Sequence, residues 1–148
     1  MHVPECADAS AVDLLFPRRP RRVAAARNAT RKALAEWGVP PEAAEAAVLV
    51  VSELVTNAVR HAEVPSGREV GLRVTRPGPD RIRVEVDDAD TTVPRLRVPS
   101  DDDESSRGLP LIVALSIRHG VCPRLHGIGK TVWAEITTGL PECSGQDT

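Results

Sequence analysis

The 148-residue chain has no tyrosine, one phenylalanine and two tryptophans. Surfaces that bind single-stranded nucleic acid interleave aromatic side chains with basic ones, and the one dense basic cluster, Arg18 to Arg22, has none interleaved with it and reads as an exposed basic lead-in to a helix. A net charge of -2 and a pI near 6.1 add no field that would hold a polyanion, so direct nucleic-acid binding is not expected. No apolar run approaches the ~20 residues needed to cross a bilayer, and the N-terminus lacks the apolar stretch of a signal peptide. A soluble, cytoplasmic protein without a membrane partner is therefore expected. The three cysteines, Cys6, Cys122 and Cys143, are odd in number and form no CxxC pair, which fits free thiols in a reducing compartment. The four histidines show no ligand spacing with one another or with the cysteines, so zinc is not expected. There is no internal repeat.

The length fits one domain with a core that needs no disulfide or metal. Residues 1–12 and 139–148 read as aperiodic tails, with the folded unit spanning 13–138. Leu14, Phe16 and Pro17 suit an edge strand. A helix is expected from about Arg21 to Trp37, stopped by Gly38, and a second from Pro41 to about Ala62. Val70, Leu72 and Val74, then Ile82, Val84 and Val86, alternate with polar residues on either side of Pro77-Gly78-Pro79-Asp80, the pattern of an antiparallel hairpin. The stretch from Asp87 to Ser106 is polar and broken by Pro94 and Pro99, and a loop of that length in a compact domain is usually functional. Its acidic run, Asp101 to Glu104, is read as a solvated face. A third helix is expected over about Leu109 to His119, with Gly120 as its stop. The last strand, Thr131 to Ile136, turns Val132, Ala134 and Ile136 inward. The expected fold is α+β: a two-layer sandwich with helices on one face of a mixed, mainly antiparallel sheet.

Chemistry concentrates in the second helix. Ala44, Ala47, Val48, Val51, Leu54, Val55 and Ala58 form an apolar stripe, leaving Glu53 and Asn57 one turn apart on the other face. A carboxylate can polarise a hydroxyl, and an amide oxygen can ligate a hard cation such as Mg²⁺. Taken alone, two such residues are also what an ordinary solvated face carries. Asp88 follows the hairpin, where a carboxylate can accept the exocyclic amine hydrogen of adenine, although an aspartate ending a strand is in isolation more often a plain turn residue. Ser105-Ser106-Arg107-Gly108-Leu109 leads into a helix, where backbone N–H groups can hold phosphate, although two serines before a helix are also an ordinary N-cap. Gly129-Lys130-Thr131 enters the last strand with a cation and a hydroxyl, but lacks the glycine spacing of a P-loop.

These motifs in this order resemble the histidine-kinase-like (GHKL) ATPase superfamily. The phrases SELVTNAVRHA, RGLPLIVALS and GKTVWAEI are similar to its small anti-sigma-factor serine kinases and their actinobacterial relatives, over about Phe16 to Ile136. The resemblance implies a Bergerat ATP-binding fold with ATP and Mg²⁺ as cofactors. It implies that Glu53 is the general base and Asn57 the Mg²⁺ ligand, that Asp88 reads adenine, that Arg107 and Gly108 wrap the phosphates, and that Thr131 lies near the adenine. The activity implied is a protein serine/threonine kinase whose partners are a sigma factor, an antagonist protein or both, with a homodimer allowed. The alternative is a partner-binding module that uses ATP only as a conformational ligand or not at all. Two departures bear on that choice. The family's Asp-x-Gly-x-Gly stands here as Asp88-Ala89-Asp90-Thr91-Thr92, and Ser106 occupies the first glycine position of Gly-Arg-Gly. Side chains there restrict positive φ and close approach of backbone to phosphate. His119 also stands where a tryptophan is common.

Overall fold

The structure, a computed structural model, describes residues 11–17, 19–60, 69–88, 115–123 and 129–140. Strand β1 (Ala11–Pro17) is followed by helices α1 (Arg21–Glu36) and α2 (Pro41–Arg60), the hairpin strands β2 (Glu69–Gly78) and β3 (Arg81–Asp88), and strands β4 (Arg118–Pro123) and β5 (Lys130–Thr137). The five strands form one sheet in the order β1-β2-β3-β5-β4, and every pairing is antiparallel, so the sheet is not mixed among the described residues. β1 lies at an edge, where Pro17 is tolerated.

The two helices are set by local signals at the turn between them. Gly38 adopts a φ of 74°, Gly38 N–H donates to Ala35 O, and Val39 N–H donates to Leu34 O, which together make a Schellman stop. Buried Val39 and Leu34 supply the apolar contact of that motif. Pro41 then opens α2 at the position where a missing N–H costs nothing.

The core lies between the helices and one face of the sheet. The α2 stripe from Ala44 to Ala58 is buried throughout and meets Val70, Leu72 and Val74 of β2, Ile82, Val84 and Val86 of β3, and Ala134 and Ile136 of β5. A fully buried Val or Leu contributes about 1.5–3 kcal/mol, so this stripe fixes the rotation of α2 about its axis. The other face of the sheet carries no described helix.

The third helix differs from expectation at its end. Leu115 is helical, but Arg118, His119 and Gly120 belong to strand β4, and residues 109–114 lie outside the described residues. The register explains Gly120: it pairs with Trp133 of β5, and the indole occupies the space where a Cβ would sit. Gly120 accommodates a neighbouring strand rather than stopping a helix.

Candidate active site

With the apolar stripe of α2 turned to the sheet, Glu53 and Asn57 fall on its outer half, and both are half-buried. Their direction follows from the neighbouring helix. Arg27 of α1 donates to Ser52 Oγ at 3.3 Å, and Arg31 pairs with Glu45 at 3.2 Å, so α1 runs antiparallel to α2 along its Ser52 and Glu45 side. At about 100° per residue, Glu53 and Asn57 lie farther round the helix, away from α1. Because α1 packs on β1 while α2 packs on β3 and β5, this side of α2 faces the β5–β4 half of the sheet.

The same registers fix the end of the molecule at which these residues sit. Pro17 pairs with Glu69, Gly71 with Asp87, and Asp88 with Lys130, so the end of β1, the start of β2, the end of β3 and the start of β5 share one edge of the sheet. α1 leaves that edge and reaches the opposite one, where the Arg76 guanidinium donates to Trp37 O and to Pro79 O. The antiparallel α2 returns, bringing Asn57 in its last turn to the edge that carries Asp88.

Asp88 is the last residue of β3 and points to the helix-covered face. It is 2% exposed. Lys130, directly opposite on β5, pairs with Asp88 Oδ2 at 3.4 Å and is itself buried. The three preceding rungs of this face are apolar: Ile82 with Ile136, Val84 with Ala134, and Val86 with Val132. Lys130 was legible as a site residue from parity alone, since the inward alternation of Ile136, Ala134 and Val132 reaches Lys130 at its next step.

Thr131 has the opposite parity. It lies on the uncovered face of the sheet, where its hydroxyl donates to Asp87 Oδ1 at 2.5 Å. The structure thus brings Glu53, Asn57, Asp88 and Lys130 to one end of the helix-covered layer and leaves Thr131 on the far side of the sheet. Arg107 and Gly108 lie outside the described residues, as do His61, Ser105, Ser106 and the acidic run 101–104.

The uncovered face holds a second polar cluster that sequence reasoning missed. Glu135, expected to point outward, does so but is buried beneath arginines: Arg83 reaches it at 2.9 Å, Arg118 at 3.2 Å and Arg81 at 3.3 Å. Arg83 also stacks on the Trp133 ring, 4.2 Å from its centroid, and bonds Glu85 at 2.7 Å. Burial pushes the Glu135 carboxyl up, but hydrogen bonds from Arg83 and Arg118 and the charges of Arg118 and Arg81 outweigh it and hold the group below its ordinary value. Farther along this face, Arg73 pairs with Asp13 at 3.4 Å, an exposed pair.

Residues 16–136 match the histidine kinase-like ATPase domain family. The chain belongs to this family. The match runs from β1 into the last strand and so takes in both helices and the whole hairpin. Among solved structures, the chain is similar to the RsbU and RsbW domains of Rv1364c from Mycobacterium tuberculosis, with a TM-score of 0.58 and 21% identity over 86% of this chain. That likeness speaks for the fold, and the chain spans only 31% of the length of the chain in that structure. No curated protein matches the sequence.

Membership in a histidine kinase-like ATPase family implies ATP as the nucleotide. The donor set fits it: a half-buried carboxylate, a half-buried amide oxygen and a buried carboxylate are gathered at one end of the domain. Among the described residues, no group of three His, Cys, Asp or Glu side chains forms a ready metal site. Asn57 offers an amide oxygen that could hold a hard divalent ion such as Mg²⁺, whose usual further ligands are phosphate and water. None of the described helices is long and apolar enough to cross a membrane.

Proposed function

We propose that the protein is an ATP-dependent regulator that transfers the γ-phosphoryl group to a serine or threonine hydroxyl of a partner protein. The observation that carries this reading is the gathering of Glu53, Asn57 and buried Asp88 at one end of a histidine kinase-like ATPase domain. Glu53 accepts the proton of the attacking hydroxyl, Asn57 contributes an oxygen to Mg²⁺, and Asp88 accepts the amine hydrogen of adenine. Mg²⁺, when bound, neutralises charge on the phosphates. Arg107 and Gly108 stand at the phosphate-wrapping positions of the sequence.

The partner class follows from resemblance to the anti-sigma-factor kinases: a sigma factor, an antagonist protein that carries the acceptor hydroxyl, or both. The likeness to a structure that contains an RsbW domain supports it. One sequence observation favours a second reading. The glycines missing after Asp88 and at Ser106 suit a module that binds its partner without turnover.

Calorimetric titration with ATP, with and without Mg²⁺ and beside GTP, tests the proposal. Magnesium-dependent binding that prefers ATP supports the nucleotide reading. Absence of binding at millimolar nucleotide would leave the partner-binding module.

A further inference from the structure

We propose that Lys130 is a specificity-determining positioning residue for the base of the nucleotide, acting through Asp88. The inference rests on the reading of Asp88 given above and adds a residue to it. On the helix-covered face, Asp88 and Lys130 form the last rung between β3 and β5, and every earlier rung there is apolar. Both side chains are almost fully buried, at 3% and 4% exposure.

A rung of this kind does little for the sheet itself. Removing two ions from water costs most of what their attraction returns, and an apolar pair of similar volume usually serves stability as well or better. The rung therefore needs an account in terms of what a carboxylate does at this position. A lone buried carboxylate is costly, and it can turn about its Cα–Cβ and Cβ–Cγ bonds. Lys130 acts on both: its ammonium compensates the charge, and its contact with Oδ2 at 3.4 Å restrains how the carboxylate turns toward a hydrogen-bond donor. An amine donor on the base is read by an acceptor of fixed direction, and Lys130 supplies the direction. Gly129, with a φ of 110° immediately before β5, brings the chain into the strand at the residue where this contact is made.

The test measures the coupling between Lys130 and the exocyclic amine. The native protein and Lys130→Met are titrated with ATP and with purine riboside triphosphate, which is ATP without that amine, and each variant is melted as a control of folding. In the native protein the amine should favour ATP by about ten- to a hundredfold, the fold-change of one hydrogen bond to a charged acceptor. In Lys130→Met that preference should fall to within about threefold of unity. A merely structural lysine would weaken both nucleotides alike and leave the preference intact, and that result overturns the proposal. If Lys130→Met does not melt cooperatively, Lys130→Gln is read in its place, and an undiminished preference there overturns the proposal too. Failure of the wider reading looks different. Native protein that binds neither nucleotide overturns the ATP site itself, and native protein that binds both equally overturns the assignment of Asp88, in each case together with the role of Lys130.

Discussion

The indole of Trp133 on β5 covers Gly120 on β4 so closely that a Cβ on Gly120 would come within 2.8 Å of Nε1 and 2.9 Å of Cε2. Trp133 is in turn overlaid by Arg83, with Arg118 at 5.7 Å from the ring centroid, so the ring cannot move without disturbing the arginines around Glu135. Gly120→Ala should therefore destabilise the protein by about 1–3 kcal/mol, the usual cost of forcing a methyl into a filled space. Chemical denaturation of the two proteins measures it. A change below about 0.5 kcal/mol would mean that the ring has an alternative seat.

Glu135 gives a pH signature. A carboxylate held below its ordinary value of 4.5 in the folded state contributes stability above that value and loses it as the pH falls through 4.5 toward the lowered one. Arg83 is shifted the other way: burial lowers its value, and Glu85 and Glu135 more than restore it, so it stays charged throughout this window. Glu135→Gln should cost about 1–3 kcal/mol at neutral pH, since it removes the charge that three arginines share and puts an amide NH2, which only donates, in place of one of the two acceptor oxygens. Below pH 4.5 the difference between native and variant should shrink. Melting curves from pH 7 to pH 3 follow it, and a difference that stays constant across that range would remove Glu135 as the source of the signature.

The parts of the fold that were legible in the sequence are those in which a residue's neighbours along the chain decide its place. The α2 stripe, the stop at Gly38 and the alternation of Val84, Val86, Ala134 and Ile136 belong here, because helix and strand periodicity set them locally. β4 was not legible in the same way. Arg118, Gly120 and Cys122 on one side and His119 and Val121 on the other alternate too weakly to oppose an apolar run that reads as helix. The strand exists through its pairing with β5, a contact made by later sequence. The burial of Glu135 is likewise non-local, since Arg81, Arg83 and Arg118 come from two other strands. For the candidate site, spacing put Glu53 and Asn57 on a shared helix face, whereas the strand residue that meets Asp88 is Lys130 and not its neighbour Thr131.

The roles proposed for Glu53 and Asn57 separate by experiment. Glu53→Gln keeps the shape of the side chain and removes the base, so phosphoryl transfer should fall by about 10²–10⁴-fold while ATP affinity stays within about threefold. Asn57→Ala removes an oxygen ligand, so binding of Mg²⁺-ATP itself should weaken by about tenfold or more and lose its dependence on Mg²⁺. Transfer assays with a serine-bearing acceptor, run beside calorimetry, read both. Undiminished transfer by Glu53→Gln would remove Glu53 as the base, and a magnesium response surviving in Asn57→Ala would remove Asn57 as a ligand.

Thr131 decides whether the nucleotide is confined to the helix-covered layer. Its hydroxyl is engaged with Asp87 on the other face of the sheet, one residue along from the Asp88–Lys130 rung. Thr131→Val keeps the branched shape and removes the hydroxyl, so it should cost about 0.5–1.5 kcal/mol of stability through the lost hydrogen bond to Asp87. Affinity for ATP should stay within about twofold, because the backbone of β5 lies between that hydroxyl and the helix-covered layer. A loss of affinity of about tenfold with stability preserved would instead mean that Thr131 reaches the base, and that the start of β5 turns this side chain toward the layer of Asn57 when nucleotide binds.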